Sequence, residues 1–114
     1  MSVDEGSYLR AGHSPDILRK LRRLHWTIED ELDLHGLTAD EAHRATLAFL
    51  DEARDNGLRC IRVIHGKGLR SPGGEGVLKH AVRRLLADRD DVLAFVESPA
   101  AHGGSGAVLV LLHG

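Results

Sequence analysis

Apolar and polar residues alternate through Glu31-Leu32-Asp33-Leu34-His35, the signature of a half-buried strand. A period of two puts Leu32 and Leu34 on one face and Asp33 and His35 on the other. The pattern then changes to helical spacing. Ala42, Ala45, Phe49 and Ala53 recur three or four residues apart, with Leu47 and Leu50 widening the stripe. Thr38 and Glu41 form a capping box ahead of this helix, and Asn56-Gly57 ends it. Leu58 to Ile64 reads as a second strand. Val77, Leu78, Ala81, Val82, Leu85 and Leu86 mark a second helix, whose solvent side is assigned to Lys79, Arg83 and Arg84. Asp91 to Glu97 gives a third strand. Ala107 to Leu112 is apolar throughout, as expected of a strand covered on both faces.

Upstream of this block, Ser14-Pro15-Asp16 is a helix start with Ser at the N-cap, Pro at the first helical position and an acid in the first turn. Ile17, Leu18, Leu21 and Leu24 supply its apolar stripe, and Arg19, Lys20, Arg22 and Arg23 make it basic. Trp26 and Ile28 are expected to anchor the link into the first strand. Met1 to Gly12 is acidic and aperiodic and reads as a loose or docked tail. The chain thus divides into a tail with a short basic helix, residues 1–30, and a folded domain, residues 31–114.

Strand, helix, strand, helix, strand, strand predicts an α/β two-layer sandwich, βαβαββ, with two core helices on a four-stranded mixed sheet. If both helical crossovers are parallel, the loops 35–37, 65–74 and 98–106 leave the sheet at one edge. Both core helices start at that edge too, where their amide ends attract anions.

The chemistry gathered there is specific. Asp33 sits beside His35, pairing a carboxylate with the side chain that titrates near neutral pH. His65 and His102 arrive from the other two loops, so three of the eight histidines converge. His13, His25, His43 and His80 fall on helix surfaces or linkers, and His113 at the far end of the sheet. Gly36, Gly66, Gly68, Gly103 and Gly104 allow a ligand to approach the backbone, while Lys67 and Arg70 supply charge for a phosphate. On its own, the Asp33–His35 window also fits an ordinary surface pair. Asp33, His35 and His65 together could ligate a divalent metal such as Mg²⁺ or Mn²⁺. Gly66-Lys67-Gly68-Leu69-Arg70-Ser71 fails the dinucleotide fingerprint at its last position, and neither a P-loop nor a Gly-x-Ser-x-Gly elbow occurs.

Composition adds limits. The 114 residues suit one domain, and a formal net charge of -2 does not announce a nucleic-acid binder, although local clustering of charge still permits one. The lone Cys60 rules out an internal disulfide and fits a reducing compartment. No apolar run reaches membrane-spanning length, and the first residues are too polar for a signal peptide. A cytoplasmic monomer is the expectation.

Three ordered motifs resemble those of the Smr (small MutS-related) family: Leu32-Asp33-Leu34-His35-Gly36, His65-Gly66-Lys67-Gly68, and Gly103-Gly104-Ser105-Gly106-Ala107-Val108. Smr domains occur at the C-terminus of bacterial MutS2 and as stand-alone proteins. The resemblance covers residues 31–112, and Ser14 to Trp26 looks like the lead-in helix of stand-alone members. It implies a fold like the C-terminal domain of translation initiation factor 3. It also implies nucleic-acid endonuclease activity, nicking DNA or cleaving RNA, including messenger on collided ribosomes. By this resemblance Asp33 and His35 match the family's Asp and His, and residues 65–68 match its glycine loop. Together with the converging loops this makes Asp33, His35 and His65 the catalytic candidates, with Gly36, Gly66, Lys67, Gly68, Arg70, His102, Gly103 and Gly104 expected to hold the nucleic acid. Many members have Thr where this chain has His65, and stand-alone members carry longer N-terminal extensions. The alternative is a non-catalytic module that binds nucleic acid or ribosomes.

Overall fold

The structure is a computed structural model that describes residues 3–4, 6–66 and 77–113. Lys67, Gly68 and Arg70 lie outside the described residues. In chain order the elements are β1 (Val3–Asp4), β2 (Ser7–Leu9), α1 (Asp16–Arg22), β3 (Asp30–Asp33), α2 (Ala39–Asp55), β4 (Cys60–Ile64), α3 (Val77–Asp88), β5 (Val92–Glu97) and β6 (Ala107–Leu112). They form one mixed sheet in the order β1-β2-β5-β6-β4-β3.

The apolar pattern sets this order. All six residues of β6 are buried, and the strand sits inside the sheet, antiparallel to β4 on one side and β5 on the other. β3, which alternates, occupies the edge and pairs in parallel with β4. Because β6 is antiparallel to both neighbours, β3, β4 and β5 all run the same way. Their C-terminal ends therefore share one edge, as the crossover rule requires. His65 N–H and Gly66 N–H both donate to Gly106 C=O at 3.0 Å, joining the second and third loops there.

α2 and α3 cover one face of the sheet through Leu34, Leu50, Ile61, Val63, Leu86, Phe95 and Val108. α1 covers the other through Leu21, against Cys60, Ala94, Val96, Leu109 and Leu111, with Trp26 and Ile28 packed alongside. α2 carries both halves of its capping box: Glu41 N–H donates to Thr38 Oγ1 at 3.2 Å, and Thr38 N–H to Glu41 Oε1 at 2.9 Å. α1 begins at Asp16, and Ser14 Oγ accepts the Asp16 N–H at 3.3 Å.

Among the described residues the sheet has six strands rather than the four expected. The N-terminal segment read as an aperiodic tail forms a hairpin, and Ser7, Tyr8 and Leu9 pair antiparallel with Val96, Phe95 and Ala94. Three residues are too few to show an alternation. Tyr8 makes the pairing favourable: it is 2% exposed and stacks on Phe95 at 5.4 Å between ring centroids. Arg10 fixes the exit of the hairpin by donating from Nε to Val92 C=O at 2.8 Å.

Candidate active site

β3 carries Leu32 and Leu34 into the α2/α3 core, which turns Asp33 and His35 to the opposite face. The strand ends at Asp33, and the chain turns at once. Asp33 Oδ1 accepts the His35 backbone N–H at 3.0 Å, and Leu37 N–H donates to Leu34 C=O at 3.1 Å. Gly36 closes this turn with φ at +84°, a conformation that favours glycine. The same Asp33 Oδ1 lies 2.9 Å from His35 Nδ1. One carboxylate oxygen thus holds both the backbone and the ring of His35, whose side chain stays 77% exposed. The His35 amide and ring hold the Asp33 carboxyl below its usual range, so Asp33 is a carboxylate. With Nδ1 donating to that carboxylate, Nε2 faces solvent and is free to take or give a proton.

Beneath this pair Arg62 ties the second strand to the third loop. Its guanidinium donates to Glu31 on β3 and, from Nη1 at 2.9 Å, to His102 C=O. Ser98 Oγ donates to the same carbonyl at 2.6 Å. The loop after β5 is therefore fixed as two short 3₁₀ turns, Ala100–His102 and Gly104–Gly106. Gly103 between them has φ at +117°, and an added Cβ would lie 2.7 Å from Ala107 Cβ. His102 is half-buried; Gly36 and Gly103 are exposed.

His65 is placed differently from His35. Its neighbours on β4, Ile61 and Val63, belong to the α2/α3 core, and its ring reaches α3 on that side. It is 4% exposed. Nδ1 lies 2.6 Å from Gly66 C=O and donates to it, which leaves Nε2 to accept from Arg83 Nη1 at 3.0 Å. Burial, with help from the nearby Arg83 and Lys79 charges and against the Gly66 bond, pushes the imidazole down to about 4. His65 is neutral and braces the turn from behind. Arg83, assigned to the wet side of its helix, is instead buried, because His65 draws its guanidinium inward. Nothing in the helical spacing signals this. Arg62 left a trace, as a lone cation in the otherwise apolar strand 60–64.

The edge therefore brings together the Asp33–His35 pair, Gly36, the His65-Gly66 turn and the His102-Gly103-Gly104 loop. It does not present His65 on the face that carries His35. Among the described residues, no three His, Cys, Asp or Glu side chains group to hold a metal. Mg²⁺ or Mn²⁺ would find the Asp33 carboxylate and the His35 ring here. That donor set suits an ion that keeps most of its waters or takes oxygens from a phosphate.

The family model for the Smr domain matches residues 32–113. The chain belongs to the Smr family. The ribosome rescue factor SmrB of Tolumonas auensis is 37% identical over 105 residues, covering 92% of this chain and 57% of that protein. Its counterpart in Pectobacterium carotovorum is 40% identical over 105 residues, covering 92% and 55%. This Smr chain thus spans a little over half the length of the curated relatives it matches. Among solved structures, Escherichia coli YdaL, a stand-alone small MutS-related protein, aligns with a TM-score of 0.83 at 31% identity, over 95% of this chain and 82% of that one. The Smr domain of Thermus thermophilus MutS2 aligns at 0.67 and 38% identity, over 75% and 99%. The Smr fold is thereby shown for this chain. Among the described residues no helix is long and apolar enough to cross a membrane.

Proposed function

We propose that this Smr domain is a nucleic-acid endonuclease that breaks phosphodiester bonds at the Asp33–His35 edge. The carrying observation is the 2.9 Å contact between Asp33 Oδ1 and His35 Nδ1 at an exposed rim. Asp33 fixes the imidazole tautomer. His35 Nε2 takes the proton of the attacking hydroxyl or water, or returns one to the leaving oxygen. Gly36, Gly103 and Gly104 keep side chains out of the way of the strand. The SmrB relatives are named ribosome rescue factors, which favours RNA on ribosomes as the setting.

Positioned acid–base chemistry contributes about 10²–10⁴-fold. Structured RNA and supercoiled plasmid are incubated with wild type and with His35→Ala, with Mg²⁺, Mn²⁺ or chelator. Cleavage that falls by at least 100-fold in a folded His35→Ala variant, the lower end of that range, supports the assignment. Failure of wild type to cut either substrate under any of these conditions refutes it. The alternative, a binding module without chemistry, draws on the burial of His65, which leaves a single exposed acid–base pair among the described motif residues. It requires nucleic-acid or ribosome binding unchanged by Asp33→Ala and His35→Ala, and no cleavage.

A further inference from the structure

Arg83 is 9% exposed, and its guanidinium is only half engaged. Nη1 donates to His65 Nε2 at 3.0 Å and sits 3.5 Å from Lys79 C=O. Nε and Nη2 have no hydrogen-bond partner among the described residues. These two atoms form the side-on fork of the guanidinium, whose parallel N–H bonds match two oxygens of a carboxylate or phosphate. Arg59 and Arg62 also leave a buried Nε unpaired, but only in Arg83 are both atoms of the fork buried and unpaired among the described residues. Buried donors without acceptors are costly, and an anion brought against this fork would satisfy both N–H groups at once.

The surroundings suit one. Arg83 lines a recess of about 790 Å³ together with Lys79, His80, Arg84, His43 and Gly6. Glu97 is already engaged by Lys79 at 3.8 Å, and Asp88 also lines the recess. Among the described residues, three permanent cations thus meet two carboxylates, which leaves room for one negative charge. The recess lies on the α2/α3 face of the sheet, across the His65-Gly66 turn from Asp33 and His35.

We propose that this recess is a second phosphate site, in which the Nε–Nη2 fork of Arg83, flanked by Lys79 and Arg84, holds a backbone phosphodiester of the strand being cut. The strand then crosses the sheet edge over the His65-Gly66 turn, with the bond to be broken at His35 and a neighbouring phosphate anchored behind it. This rests on the endonuclease function above and adds the path of the substrate.

The test is fluorescence anisotropy with labelled single-stranded RNA and DNA of one sequence, in a His35→Ala background so that the oligonucleotide survives, across a salt series. Arg83→Gln is expected to weaken binding about tenfold at low salt, the loss of one charge-assisted contact. It is also expected to lower the slope of log K against log salt by about 0.7, one phosphate contact. Arg83→Lys restores the slope without the full affinity, since a point charge lacks the fork. Lys79→Gln/Arg84→Gln, which leaves the Arg83–His65 bond in place, lowers the slope as well and decides the matter if Arg83→Gln does not fold. Loss confined to the RNA or to the DNA arm identifies the strand. Affinity and slope unchanged in folded Arg83→Gln and in the double variant overturn the site even though the parent binds. A parent that binds neither oligonucleotide overturns the site and the endonuclease function together, whereas binding without cleavage removes only the chemistry.

Discussion

His65 accepts a hydrogen bond from Arg83 at 3.0 Å on the α2/α3 face of the sheet, while His35, just past a neighbouring parallel strand, stands on the opposite face. Two histidines from matching motifs therefore have opposite fates. A protonated His65 would face the Arg83 guanidinium without an acceptor left on its ring, so folding holds it neutral. Its folded value of about 4 lies below the unfolded value of 6.5. The unfolded chain then binds the extra proton first, and stability present above pH 6.5 is lost as pH falls toward 4. Linkage gives a loss on the order of 2 kcal/mol between pH 7.5 and 5 from this residue. Urea unfolding across that range is expected to show the loss in wild type and a flatter profile in His65→Gln, which still accepts from Arg83 but does not titrate. Parallel profiles would contradict the burial argument.

Asp33 shifts in the same direction but over a lower pH window, and it gives a different readout. Its carboxyl is held low by the His35 amide and ring, so it stays ionised throughout the range in which an imidazole titrates. Cleavage rates above pH 5 are therefore expected to show no titration of this carboxylate. Asp33→Asn keeps the shape and an acceptor for the amide but offers the ring a neutral partner that can also donate. Turnover is expected to fall by about 10²-fold or more at every pH, with a smaller change in substrate binding. Single-turnover rates at saturating RNA or plasmid separate the two.

The layout of the edge was legible because it rests on periodicity. Alternation at Leu32 and Leu34 gave the facing of Asp33 and His35, and the buried run 107–112 gave the inner strand. The position of His65 was not, because it lies one residue past β4 and its facing depends on α3, an element distant in sequence. Arg83 was misread for the same reason: a cation at a helix position looks solvated until its partner is known. The N-terminal strands were missed because two and three residues carry no period. Their stability comes from one tyrosine docking on Phe95.

Gly103 and Gly36 both have positive φ but differ in surroundings. An added methyl at Gly103 lies 2.7 Å from Ala107 Cβ, whereas at Gly36 nothing comes within 4 Å. Gly36→Ala carries only backbone strain, about 1 kcal/mol, while Gly103→Ala adds a clash with β6 for a total of roughly 2–4 kcal/mol. Thermal melts are expected to order them as wild type, Gly36→Ala, Gly103→Ala. Equal melting temperatures for the two variants would mean that the loop after β5 gives way easily and that Arg62 and Ser98 do not hold the His102 carbonyl in place.

Tyr8 carries the last prediction, since the hairpin it anchors extends the sheet beyond the matched residues 32–113. Its ring is 2% exposed, stacked on Phe95 and approached by the Arg10 guanidinium at 5.6 Å. Tyr8→Ala removes this packing and is expected to cost about 3–5 kcal/mol, the range for truncating a buried aromatic. Tyr8→Phe keeps the ring and its packing and is expected to stay within about 1 kcal/mol of wild type. Hydrogen exchange distinguishes a local from a global effect. If the hairpin docks as an independent flap, Tyr8→Ala frees the amides of Ser7 to Leu9 alone; if it completes the sheet, protection also falls along β5 at Ala94 and Val96. The short pairing of β2 with β5, joined by the Arg10 bond to Val92, favours the second outcome.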